Sequence, residues 1–137
     1  MAGAGRLIVN VDGGARGNPG PAAIAAVARS DDGEVIEERR ELIGEATNNV
    51  AEYRALLLGI ELGATLGAAE LELVGDSELI VRQVKGEYKV KDATLQQLNA
   101  QVRAALEGFD SWSIRHVRRD ENAEADALVN AALDADA

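Results

Sequence analysis

The sequence predicts one α/β domain whose elements run βββαβααβα. Two observations carry that prediction. Through residue 43 the apolar residues come in short runs or alternate, and no segment shows a helical stripe. From Asn49 onward the apolar spacing changes to three and four residues, and helical stretches then alternate with two further strand-like runs.

Leu7–Asp12 is a short apolar run entering a glycine-rich turn, Gly13–Gly20, and reads as a strand with its exit. Ala22–Arg29 is small and apolar, and Glu34–Ile43 alternates around Val35 after a turn at Asp31–Gly33. These two read as the second and third strands of an antiparallel meander. Tyr53, Leu56, Leu57 and Ile60 then form the stripe of a helix from Asn49 to Leu66, which Thr47 or Asn48 can cap by accepting a first-turn N–H. Gly59 and Gly63 in that helix cost roughly 1 kcal/mol each relative to alanine. Close packing of their face on a sheet is the expected offset. Glu70–Gly75 reads as a fourth strand ending at Asp76. Ser77–Val84 and Thr94–Leu106 read as helices around the polar stretch Lys85–Asp92, followed by a fifth strand, Ser111–Val117, and a last helix, Asn122–Leu133.

The 137 residues are 47% hydrophobic and 28% charged, so residues 1–137 are expected to form one folded domain without a disordered tract. With one Phe, one Trp and two Tyr, the core must be aliphatic. No apolar run approaches the roughly 20 residues of a membrane span, and the first residues lack the layout of a signal peptide. Cysteine is absent, which excludes disulfides and thiolate zinc sites and suits a cytoplasmic protein. The formal charge of −10 argues against a uniformly basic nucleic-acid-binding surface.

Four acids stand in unusual places. Asp12 and Asp76 each end an apolar strand, where sites gather in open α/β sheets, although either could be a turn or cap residue. Glu52 lies one turn before Leu56 and two before Ile60, so its carboxylate shares the apolar stripe. Asp126 repeats the pattern with Val129 and Leu133. A carboxylate at a buried edge is costly unless it is paired or bound to a metal. Four such acids converging would need cations between them, and hard oxygen ligands without cysteine point to Mg²⁺ or Mn²⁺.

Gly13–Gly20 matches neither the P-loop pattern nor GxGxxG. Thr47-Asn48-Asn49 offers three adjacent hydrogen-bonding side chains, enough for a cap and suited also to sugar or phosphate contacts. Basic residues cluster at Arg82, Lys85, Lys89 and Lys91 and again at Arg115, Arg118 and Arg119, while Asp31–Glu45 is rich in acid. Such clusters are either solvated faces or a local phosphate track.

Asp12–Gly20 (DGGARGNPG), Thr47–Glu52 (TNNVAE), Asp76-Ser77 and Glu121–Asp126 (ENAEAD) together resemble type 1 ribonuclease H, in the family's order of elements and over about Leu7 to Leu133. The resemblance implies a five-stranded mixed sheet of order 3-2-1-4-5, its first three strands antiparallel, with helices on both faces. It implies Asp12, Glu52, Asp76 and Asp126 as ligands of two Mg²⁺ ions, with Mn²⁺ as a substitute. The implied activity is endonucleolytic cleavage of the RNA strand of RNA–DNA hybrids, leaving 5′-phosphate and 3′-hydroxyl ends. By the same similarity, backbone from Gly13 and Gly14 to Arg16, with Asn18, Asn48 and Glu78, would read the 2′-hydroxyl. Thr47 and Asn49 are candidates for phosphate or DNA-strand contacts, and Lys85, Lys89 and Lys91 for a reduced basic grip. The protein is expected to act as a monomer away from membranes.

The chain departs from the family in two places. Some relatives carry a basic helix and loop that grips the hybrid, and here that region is short, so binding is expected to be weaker and more salt-sensitive. Many relatives also place a mobile histidine before the last helix. His116 stands ten residues before Asp126 but within a predicted strand, and Arg119, nearer the loop, is an equal candidate for that role. Short relatives also occur fused to a phosphatase-like domain, so the Ala/Asp-rich end fits either a natural terminus or a continuing chain. Junction resolvases and integrase cores would share clustered carboxylates but not these motifs in this register. A catalytically dead hybrid-binding module is disfavoured because all four acids are present.

Overall fold

The computed structural model describes residues 5–136. Its strands are β1 (Arg6–Ala15), β2 (Gly20–Arg29), β3 (Val35–Ala46), β4 (Glu70–Gly75) and β5 (Ser111–His116). Its helices are α1 (Asn48–Thr65), α2 (Glu78–Val84), α3 (Ala93–Leu106) and α4 (Ala123–Asp136), the last preceded by a 3₁₀ turn, Arg119–Asn122. The five strands form one sheet in the order β3-β2-β1-β4-β5. β1–β2 and β2–β3 are antiparallel, and β1–β4 and β4–β5 are parallel. The order and directions match the expectation.

Strand alternation divides the core between two faces of the sheet. Leu7, Val9 and Val11 of β1 and Leu71 and Leu73 of β4 meet α1, in a cluster that also takes Val102 and Leu106 of α3. On the other face Ala23 and Ala25 of β2 pack under Val129, Ala132 and Leu133 of α4. β2 is therefore buried on both sides from Ala22 to Ala28, which explains its unbroken run of small apolar residues. The glycine pair of α1 is what close packing predicts. A Cβ at Gly59 would stand 2.6 Å from Val11 Cγ1, and one at Gly63 2.9 Å from Leu71 Cδ1.

Several boundaries shift by one to three residues, β3 running on to Ala46 and the last helix to Asp136, and two of the differences bear on the site. Gly13-Gly14-Ala15 is not turn but the end of β1, paired with Ile24, Ala23 and Ala22, so the reversal is confined to the residues between Ala15 and Gly20. The last helix begins at Ala123, because Arg119–Asn122 winds as a tighter turn of its own. Thr47 is the cap of α1, its Oγ1 accepting from the Val50 N–H at 3.2 Å.

Candidate active site

Register brings the first two acids together. β1 and β4 run parallel with Asn10 opposite Val74, so two residues further on Asp12, still within β1, and Asp76, just past the end of β4, stand side by side. Glu52 arrives because α1 crosses β1 at almost no distance: a Cβ at Gly13 would overlap the Ala51 carbonyl. The Gly13 N–H donates to Glu52 Oε1 at 3.1 Å, which fixes that carboxylate beside Asp12. One oxygen each of Asp12, Glu52 and Asp76 lies within 4.8 Å of the others. Asp126, in the first turn of α4, lines the same cleft.

These acids repel one another in poor solvent. Burial first, then the charges of Asp76 and Asp126, push the Asp12 carboxyl up to about 7, and the Arg119 guanidinium opposes the rise. Burial also holds Glu52 well above the usual carboxylate range, with Asp12 and Asp76 adding to it. Among the described residues, only Arg16 and Arg119 bring positive charge to the cleft wall, and Arg16 is paired with Asp134 at 2.7 Å. Crowded, partly desolvated oxygens of this kind fit hard divalent cations, which would relieve the repulsion that the arginines leave.

The other expected residues divide by position. Gly13, Gly14, Arg16, Asn48, Asn49 and Arg119 line the cleft. Asn18 and Thr47 line an adjoining groove that shares Asn49. Asn18 and Asn48 knit the wall of the cleft: Asn48 N–H donates to Asn18 Oδ1 at 3.0 Å, and the Ala15 N–H donates to Asn48 Oδ1 at 2.9 Å. Both bonds use side-chain oxygens. Glu78 does not line the cleft; it is exposed at the start of α2 and pairs with Arg82 at 3.0 Å. Lys85, Lys89 and Lys91 are exposed between α2 and α3. His116 is the exposed last residue of β5 and does not line the cleft, whereas Arg119 reaches Asp126 at 3.4 Å.

Asn122 is a residue whose importance the sequence reading missed. It is 2% exposed; its Nδ2 donates to the Val11 carbonyl at 2.8 Å, and its Oδ1 accepts from Asn10 Nδ2 at 3.0 Å. These bonds pin the turn before α4 to the strand carrying Asp12, and so set where Asp126 enters. The one signal in the sequence was a polar residue directly before the last apolar stripe. Its depth is a tertiary property.

A family model described as reverse transcriptase-like matches residues 10–132. The chain is 47% identical over 130 residues to ribonuclease HI of Halobacterium salinarum, covering 95% of this chain and 65% of that protein. It is 43% identical over 131 residues to a bifunctional protein of Mycobacterium tuberculosis, of which it spans 36%. Among solved structures, RNase H1 of the halophilic archaeon Halobacterium salinarum superposes with a TM-score of 0.94 at 47% identity, covering 97% of this chain and all of that one. An RNase H1 isolated from compost by a metagenomic approach, solved in complex with an RNA/DNA hybrid, gives 0.84 at 44% identity, covering 90% and 94%.

Proposed function

The chain belongs to the type 1 ribonuclease H family, and from that premise we propose that it is an endonuclease hydrolysing the RNA strand of RNA–DNA hybrids, with 5′-phosphate and 3′-hydroxyl products. The observation that carries this reading is the convergence of Asp12, Glu52 and Asp76, with Asp126, in one cleft walled by Asn48 and Asn49. Members of the family are metal-dependent, and the donor set is all carboxylate oxygen.

In this reading Asp12, Glu52, Asp76 and Asp126 hold two Mg²⁺ ions, for which Mn²⁺ can substitute. When bound, the ions would supply Lewis acidity toward the attacking water and the departing 3′-oxygen. The protein's own part is to bind, orient and balance charge. The Gly13 N–H keeps Glu52 in one rotamer. The unspent Nδ2 groups of Asn18 and Asn48, with the backbone of Gly13 to Arg16, are donors for a ribose 2′-hydroxyl, the group that separates RNA from DNA. Thr47 and Asn49 stand where the groove continues toward the flanking phosphates. Glu78 is kept as an outlying 2′-hydroxyl candidate on the family resemblance alone. Arg119 offers a mobile cation to Asp126 and to the reacting phosphate, the role for which His116 was the equal candidate. Lys85, Lys89 and Lys91 contact phosphates further along the duplex.

The same reading makes residues 1–137 one catalytic domain acting as a monomer in the cytoplasm. Among the described residues no helix is long and apolar enough to cross a membrane. The test is cleavage of matched substrates in Mg²⁺ or Mn²⁺. The hybrid should be cut, and single-stranded RNA, double-stranded RNA and DNA should be left nearly intact. Asp76→Asn should abolish cleavage with the fold retained by circular dichroism. Normal cleavage by that variant would overturn the metal assignment.

A further inference from the structure

All three lysines of the chain, Lys85, Lys89 and Lys91, lie in the segment that joins α2 to α3. All three are exposed, and among the described residues none is ion-paired. Most arginines, by contrast, are matched with a carboxylate. In a chain of net charge −10, three cations left without acidic partners are free to meet an external anion.

The segment that carries them is anchored from below by a hydrogen-bonded network centred on buried neutral side chains. Gln83, 6% exposed, is its hub. Its Oε1 accepts from the Tyr53 hydroxyl at 2.7 Å, and its Nε2 donates to the Lys89 carbonyl at 3.4 Å. Its own carbonyl accepts from Asn99 Nδ2 at 3.4 Å, Arg103 Nη2 at 3.3 Å and the Gly86 N–H at 3.1 Å. Asn99 Nδ2 also donates to the Tyr53 hydroxyl at 3.2 Å, which closes the circuit. The chain reverses at Gly86, φ +82°, where a Cβ would stand 3.1 Å from Arg103 Nη2. Apolar side chains of similar shape could fill such a volume with little change in stability, so stability alone does not explain polar residues there. They fix the path of the main chain.

That path leads toward the acid cleft. The segment ends at Asp92, which with Thr94 and Leu95 forms one wall of the groove whose other wall is Asn18, Thr47 and Asn49. Asn49 also lines the acid cleft. We infer that the Tyr53–Gln83–Asn99 network is a positioning device that holds the lysine segment as a preorganised phosphate-binding arm, with Gln83 its principal positioning residue. The inference rests on the hybrid-cleaving reading above.

The test measures hybrid cleavage by the full chain in Mg²⁺ across a range of salt. It uses Gln83→Met, the milder Tyr53→Phe, the triple variant Lys85→Ala/Lys89→Ala/Lys91→Ala, and that triple variant combined with Gln83→Met. Gln83→Met should raise KM roughly three- to tenfold with kcat little changed, because each lysine must then be ordered on binding. The slope of log KM against log salt should fall by about one for each phosphate the arm no longer neutralises, and Tyr53→Phe should do the same more weakly. In the triple-alanine background Gln83→Met should add nothing, since no arm remains to be positioned. A KM effect of equal size in both backgrounds overturns the inference. So does a lowered melting temperature with KM unmoved in both Gln83→Met and Tyr53→Phe, or a triple variant with the unaltered chain's KM and salt slope. If the unaltered chain fails to cleave the hybrid, the parent reading falls and the inference falls with it.

Discussion

Glu52 and Tyr53 are consecutive residues of α1, and the helical turn between them sends their side chains into two unlike regions. Glu52 enters the cleft, where Asp12 and Asp76 are its neighbours and burial leaves its charge poorly solvated. Tyr53, with no exposed surface, enters the network under the lysine segment, where its hydroxyl both donates and accepts. The cleft gathers like charges that the fold does not neutralise. The network is built of neutral side chains with the Arg103 guanidinium at its edge, and no buried side-chain polar atom among the described residues lacks a partner. A helix can serve both because its elements are held elsewhere: Gly59 and Gly63 lock α1 on the sheet whichever way its first turn is loaded. Repulsion is concentrated where ligands would relieve it, and satisfied polarity where a chain path must be fixed.

The sharpest way to break that contrast is to remove a charge from the cleft. Asp12→Asn should lower hybrid cleavage by about 10³-fold or more, since the proposed function makes Asp12 a metal ligand. The same variant should be more stable than the parent in chelator, because a crowded carboxylate is gone. Cleavage rates and thermal melts read the two effects, and a variant that is both active and less stable would deny the cleft its assigned character.

Acidity gives the next largest effect. Asp12 titrates at about 7 in the folded protein, against a carboxyl near 4 in an unfolded chain, so the folded state holds the extra proton between those values. The stability this group contributes is fully present below about pH 4 and is lost as pH rises through about 7. In chelator the melting temperature should therefore fall from pH 5 to pH 8, by an amount equivalent to a few kcal/mol, and Asp12→Asn should flatten the curve. A profile that rises over that range would refute the assignment of strain to the cleft.

Arg119→Ala should reduce kcat by roughly ten- to a hundredfold, since Arg119 alone brings an unbuttressed cation to Asp126, whereas His116→Ala should leave turnover nearly unchanged. The reverse ranking would return the role to the histidine. The smallest effect is expected from the neutral region. Tyr53→Phe should cost about 1 kcal/mol in denaturant melts, with the same loss at pH 5 and pH 8, because the ionised group that acts on the hydroxyl, the Arg103 guanidinium, keeps its charge across that range.

Much of this was legible in the sequence, because the period of apolar residues reports local geometry. The apolar run Leu7–Asp12, the alternation along Glu70–Gly75 and the stripe from Tyr53 to Ile60 place each element and mark Asp12, Asp76 and Glu52 as out of keeping with their surroundings. The glycines of α1 were likewise readable as a close approach to the sheet. Less legible were the features set by partners distant in the chain. Gly13–Ala15 carries a turn-like composition and yet is strand, because β2 supplies its pairing. His116 and Arg119 could not be ranked from spacing, since the 3₁₀ turn decides which of them reaches Asp126.

The sequence by itself determined the order and type of the elements, the aliphatic core and the identity of the four acids. Each of these is written in the spacing of neighbours a few residues apart. Only the tertiary structure decided that the acids meet, that Asn122 ties the last turn to β1, and that Gln83 anchors the lysine segment. Those depend on register between β1 and β4, on the approach of α1 to Gly13 and on burial, all set by contacts between residues tens of positions apart.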